Sequence, residues 1–167
     1  MIPTSLKYSL YSMFLALILA SCNDNIQSSI PDYPVYLNLS LTSTYPTFRN
    51  STNQSLTFIK GVTPNIPETN YTGFGGILVY SAPFTDDNGN TIYYAFDLSC
   101  PYEAKNNIRI HLQESSLGKV VCDKCGSVFD ISFGSGLPES GPAKEAKDRL
   151  KIYRTMFSGD YLQITQQ

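Results

Sequence analysis

Two short cysteine-bearing segments constrain this chain more than anything else in it. The first is Phe96-Asp97-Leu98-Ser99-Cys100-Pro101-Tyr102-Glu103, and the second is Val121-Cys122-Asp123-Lys124-Cys125-Gly126-Ser127-Val128-Phe129-Asp130-Ile131. Each follows a short apolar run and carries Pro or Gly at its turn, the way a β scaffold presents a loop. Between them Ile108, Ile110 and Leu112 alternate with other residues, 114–118 reads as a turn, and Lys119-Val120-Val121 leads back to Cys122. That alternation predicts a hairpin returning the second loop to the side of the first, with Cys100, Cys122 and Cys125 meeting at one tip of the scaffold.

At these residues the chain resembles the Rieske family, in which a Cys-x-His loop and a Cys-x-x-His-Gly-Ser-x-Phe-Asp loop hold a [2Fe-2S] cluster, two Cys on one iron and two His on the other. Carried over position by position, Cys100 and Cys122 match the two cysteine ligands. Gly126, Ser127, Phe129 and Asp130 match the tail of the second loop, and Gly141-Pro142-Ala143 is similar to the proline-containing loop that covers the cluster. Both histidine positions differ: Tyr102 stands at the first and Cys125 at the second. The resemblance spans 75–164 and implies an all-β fold of small antiparallel sheets with a two-loop subdomain at about 96–143.

Three readings of the cysteine pocket stay open. Loss of both histidines favours a pocket without metal or cofactor, its cysteines reduced and buried or two of them joined as a disulfide. Alternatively a [2Fe-2S] cluster persists with Tyr102 as a ligand. In the third reading a thiolate-rich set of Cys100, Cys122 and Cys125 binds Zn²⁺, with Tyr102 or His111, the single histidine of the chain, as fourth donor.

The N-terminus points to a membrane. Residues 1–7 carry one lysine, 8–20 are apolar apart from Ser9 and Ser12, and Leu19-Ala20-Ser21-Cys22 follows at once. The apolar run is shorter than the roughly 20 residues of a spanning helix and suits the core of a cleaved export signal. Its ending resembles a bacterial lipobox, which implies a signal peptide over 1–21 and acylation of Cys22 as the anchor to the lipid bilayer. Residues 22–34 are polar and read as a tether holding the domain away from the membrane. Asp24 and its polar surroundings are similar to envelope lipoproteins of the Bacteroidetes type, which implies the outer membrane.

Residues 35–167 then form one β domain, about the size of a single core. Val35, Leu37, Leu39 and Leu41 alternate with polar or aromatic positions; 46–55 reads as loop, 56–59 as a strand, 63–72 as irregular, and 77–80 and 92–98 as strands around a turn at 86–90. The glycines at 73, 75 and 76 lead into no helix start, so they read as a close backbone approach rather than a phosphate cradle. Residues 143–150 have the strongest helix propensity of the chain, yet Leu150 and Ile152 alternate as in a strand, so at most one helical turn is expected there.

Lys plus Arg at 12 against Asp plus Glu at 14, with no basic block, excludes an electrostatic nucleic-acid partner. Tyr102 and Glu103 lack a second carboxylate, histidine or nucleophile, and Ser127 lacks a Gly-x-Ser-x-Gly turn and a base, so no catalytic set is apparent. The expectation is a lipid-anchored binding or accessory module serving an unidentified envelope protein, with one-electron transfer through an unusual cluster as the competing function.

Overall fold

The structure, a computed structural model, describes residues 26–167 other than Asn65 and Glu68. The expected signal peptide and Cys22 lie outside the described residues. Among the described residues the fold is all-β, with two antiparallel sheets and two single-turn helices.

In the larger sheet the strands run in the order β2 (Gln54–Phe58), β4 (Ile77–Thr85), β5 (Thr91–Asp97), β10 (Ile152–Ser158), β11 (Tyr161–Thr165), β1 (Val35–Ser40) and β3 (Tyr71–Thr72). β1 behaves as its alternation predicts, with Val35, Leu37 and Leu39 buried and Tyr36 and Asn38 exposed. The Ile77-Leu78-Val79-Tyr80 run of β4 is buried on both faces, and this separates two cores. Ile77 and Val79 join Leu37, Leu39, Tyr93 and Leu162 on one side, while Leu78 and Tyr80 join Phe96, Leu98, Phe129 and Leu150 on the other. A strand covered on both sides needs no polar face, which is why its sequence reads as an unbroken apolar run rather than an alternating one. The pairing of β4 with β5 slips between Ser81 and Thr85, where Pro83 has no N–H to offer the ladder.

The second core is closed by a smaller sheet in the order β6 (Ile110–Leu112), β7 (Lys119–Cys122), β8 (Val128–Asp130) and β9 (Leu137–Ser140). Asn53 joins the two layers: its side-chain oxygen accepts from Tyr80 Oη of the larger sheet at 2.8 Å and from the Gly118 N–H of the β6–β7 turn at 3.1 Å. The turn at 86–90 is tied by the Asp86 carboxylate, which accepts from the Asn88 and Asn90 N–H groups at 2.9 and 2.7 Å.

Residues 46–55 are not all loop: α1 (Pro46–Arg49) starts on a proline whose missing N–H costs nothing at that position, and it buries Phe48 against Tyr93. The helix-prone segment 143–150 forms the single turn expected of it, α2 (Pro142–Glu145), before the chain turns toward β10. Residues 27–32, whose composition reads as part of a tether, are docked on the domain. Ser29 gives both its N–H and its hydroxyl to the Asp148 carboxylate at 2.8 and 2.6 Å, the Gln27 carbonyl accepts from Arg149 N–H at 2.9 Å, and Ile30 is 2% exposed. One buried isoleucine and a set of backbone bonds suffice to hold a segment whose composition reads as linker.

Candidate metal centre

The first cysteine loop is set by a buried carboxylate. Asp97, at the end of β5, is fully buried and accepts from the N–H groups of Phe74 (2.9 Å), Gly75 (3.2 Å) and Ser99 (2.7 Å) and from Tyr153 Oη (2.6 Å). Gly75 is glycine because nothing larger fits: a Cβ there would lie 1.9 Å from Ser99 Oγ. The loop is closed on its far side by Cys100 N–H donating to the Ile108 carbonyl at 2.9 Å and Ile110 N–H to the Leu98 carbonyl at 2.8 Å. Leu98 thus packs into the core while Cys100 turns inward at the sheet end.

The second loop is a tight turn at the end of β7. Gly126, at φ +71°, reverses the chain in the left-handed conformation that glycine adopts without steric cost. Gly126 N–H donates to the Cys122 carbonyl at 2.8 Å and Cys122 N–H to the Ser127 carbonyl at 3.0 Å, so both ends of the Cys122–Cys125 turn are pinned. The Gly141-Pro142-Ala143 segment lies over this turn: Ala143 N–H donates to Ser127 Oγ at 3.0 Å, and a Cβ on Gly141 would stand 2.7 Å from Ser127 Cα.

These loops bring Cys100, Cys122 and Cys125 together, with all three sulfurs within 4.8 Å of one another and Cys100 Sγ 3.6 Å from Cys125 Sγ. The three sulfurs could hold a metal ion between them. Cys100 and Cys122 are fully buried, and Cys125 is half-buried. None is in a disulfide. A tetrahedral ion with metal–sulfur bonds of about 2.3 Å holds its thiolates roughly 3.8 Å apart, close to the spacing found here.

Electrostatics divides the three. Burial pushes the Cys100 and Cys122 thiols up, against the pull of backbone N–H groups: that of Glu103 on Cys100, and those of Cys125 and Lys124 on Cys122. For Cys125 burial acts upward too, but hydrogen bonds from the Ser127 hydroxyl and N–H and from the other two thiols outweigh it and hold the group below its ordinary value. Cys125 Sγ lies 3.2 Å from Ser127 Oγ. Backbone N–H groups aimed at sulfur stabilise thiolates, the form that ligates metal.

The other candidate donors fall outside this group. Among the described residues no histidine, aspartate or glutamate joins the three sulfurs at that spacing. Ile110 is paired with Cys122 across the β6–β7 ladder, so the intervening His111 points to the opposite face. There its Nε2 meets the Asp123 carboxylate at 2.9 Å, and that bond, with a second to the Leu112 carbonyl, raises its pKa. Tyr102 is 47% exposed at the rim of the first loop. The residues that hold the first loop and escaped sequence reasoning are Asp97 and Tyr153. Their partners lie far away along the chain, and only the Gly73-Phe74-Gly75-Gly76 run hinted at a crowded approach.

No family model matches this chain, and none of the curated proteins matches it in sequence.

Proposed function

We propose that this chain is a lipid-anchored module of a bacterial envelope whose Rieske-like β domain holds one thiolate-bound metal ion, rather than an iron–sulfur cluster, at the tip of its two loops. The observation that carries the reading is the close set of three sulfurs, two of them buried and all met by backbone or hydroxyl donors. A soft divalent ion such as Zn²⁺ suits this donor set, with Tyr102 or solvent as the fourth ligand. A cluster fits less well. In the family's arrangement the positions of Cys100 and Cys125 serve different irons, and thiolates on opposite irons stand further apart than the 3.6 Å between these two.

Among the described residues no histidine or carboxylate joins the sulfurs as an acid–base partner, and we read the metal as a structural or binding element of an accessory module. One bound ion per chain is expected by elemental analysis of the purified protein. Titration with Co²⁺ should produce the intense near-ultraviolet bands of cobalt–thiolate bonds, saturating at one equivalent. Two irons and two sulfides per chain with visible absorption would replace this reading by electron transfer, and absence of any metal affinity would end it.

The docked strap also revises the geometry of the anchor. Only five residue steps separate Cys22 from Gln27, a reach of at most about 17 Å at roughly 3.5 Å per residue, so an acylated Cys22 holds the domain against the bilayer rather than well above it. Cys22→Ser is expected to abolish acyl labelling and release the protein from membranes. A substituted protein that is still labelled would overturn the anchor.

A further inference from the structure

We infer that the N-terminal strap, residues 27–32, is the latch of the loop that covers Cys125, with Ser29 and Asp148 as the positioning residues through which it acts. The inference rests on reading Cys125 as part of the site described above.

The contacts form one continuous chain. Asp148, 6% exposed, receives two hydrogen bonds from Ser29. The Asp148 N–H donates to the Ala143 carbonyl at 2.9 Å, closing the loop on itself, and the Ala143 N–H donates to Ser127 Oγ at 3.0 Å. Ser127 Oγ is in turn 3.2 Å from Cys125 Sγ. On the strap side the Gln27 carbonyl takes the Arg149 N–H, Ile30 is buried, and Asp32 pairs with Lys151.

The loop needs such a latch. Lys147 sits at φ +55°, a left-handed conformation that a side chain of its kind adopts only where the surroundings impose it. Its neighbour Asp148 is fixed from two directions, by the Ala143 carbonyl and by Ser29. Gly141, at φ +79°, brings the other end of the loop so near Ser127 that no side chain could stand between them. The cover is therefore pressed onto the Cys125 turn at one end and held down at the other by the strap. Cys125 is the half-buried cysteine, the one whose access the cover controls, whereas Cys100 and Cys122 are enclosed by the core itself. Any partner that lifts the strap opens the site.

The test is the rate of alkylation of each cysteine by N-ethylmaleimide in the metal-stripped full chain, read by mass spectrometry. Ser29→Ala and Asp148→Asn are each expected to raise the Cys125 rate about tenfold, as loss of charge-assisted bonds shifts the loop toward its open form, while Cys100 and Cys122 stay protected. Ser29→Thr, which keeps the hydroxyl on an exposed position, is expected to restore the native rate. A Cys125 rate within twofold of native in both variants would overturn the latch. So would an equal rise at all three cysteines, which marks general destabilisation instead. Because the assay uses metal-free protein, its outcome is independent of whether the metal reading survives elemental analysis.

Discussion

Replacing Asp97 with alanine is expected to cost the domain about 3–5 kcal/mol and to free the first cysteine loop, the largest effect of any single polar substitution in the molecule. The reason lies in what the carboxylate leaves behind. Three backbone N–H groups, those of Phe74, Gly75 and Ser99, and the Tyr153 hydroxyl converge on the buried carboxylate. Each buried donor left unpaired costs about 1–3 kcal/mol. Tyr153→Phe is the control: it removes one donor and orphans none, so it should cost no more than about 1.5 kcal/mol. Burial and the Asp97 charge both push the Tyr153 phenol up, so its hydroxyl stays protonated and donates throughout the ordinary pH range. Urea unfolding of the two variants checks the contrast. An Asp97→Ala protein within about 1 kcal/mol of the parent would mean that the network is not what holds Cys100 in place.

That network also marks where the sequence stops being readable. The alternation in β1, the unbroken run in β4 and the Asp86 turn are local patterns, fixed by the two-residue period of a strand or by a side chain bonding its own backbone, and they are where the pattern puts them. The meeting of the three sulfurs follows from the same logic, since an antiparallel hairpin must return its second loop beside its first. His111, put forward as a fourth donor, is not one: Ile110 and Leu112 face the core, and the residue between them turns to the other side and meets Asp123. What no local pattern carries is a contact made by a single serine with a carboxylate 119 positions along the chain, or by backbone N–H groups with Asp97. Residues 27–32 look like linker because composition counts apolar side chains, and here one buried Ile30 is joined by bonds from main-chain atoms that every sequence possesses. The short helix α1 was hidden for a related reason: four residues contribute too little propensity to announce themselves, and Phe48 makes the turn only by packing.

The same separation of core from rim makes the three cysteines unequal, and stability measured with and without metal should resolve them. Cys100 and Cys122 belong to the second core beside Leu98, Ile110 and Phe129, so Cys122→Ser puts a hydroxyl where no solvent reaches and should cost about 1–3 kcal/mol even after metal is stripped. Cys125 stands half-open beside the Ser127 hydroxyl, which can pair with a second hydroxyl, so Cys125→Ser should leave the metal-free protein within about 0.5 kcal/mol of the parent. Bound metal changes that ranking. At a free ion concentration one hundred times the dissociation constant, a native-state site adds about 2.7 kcal/mol, and either substitution removes it by breaking a three-sulfur set. The parent should therefore lose several degrees of melting temperature on chelation, while both variants should melt at the same temperature with and without the chelator, Cys122→Ser well below Cys125→Ser. A Cys125→Ser protein that still responds to chelation would show that this sulfur is not a ligand. The site would then reduce to Cys100 and Cys122, with no histidine or carboxylate among the described residues to complete it.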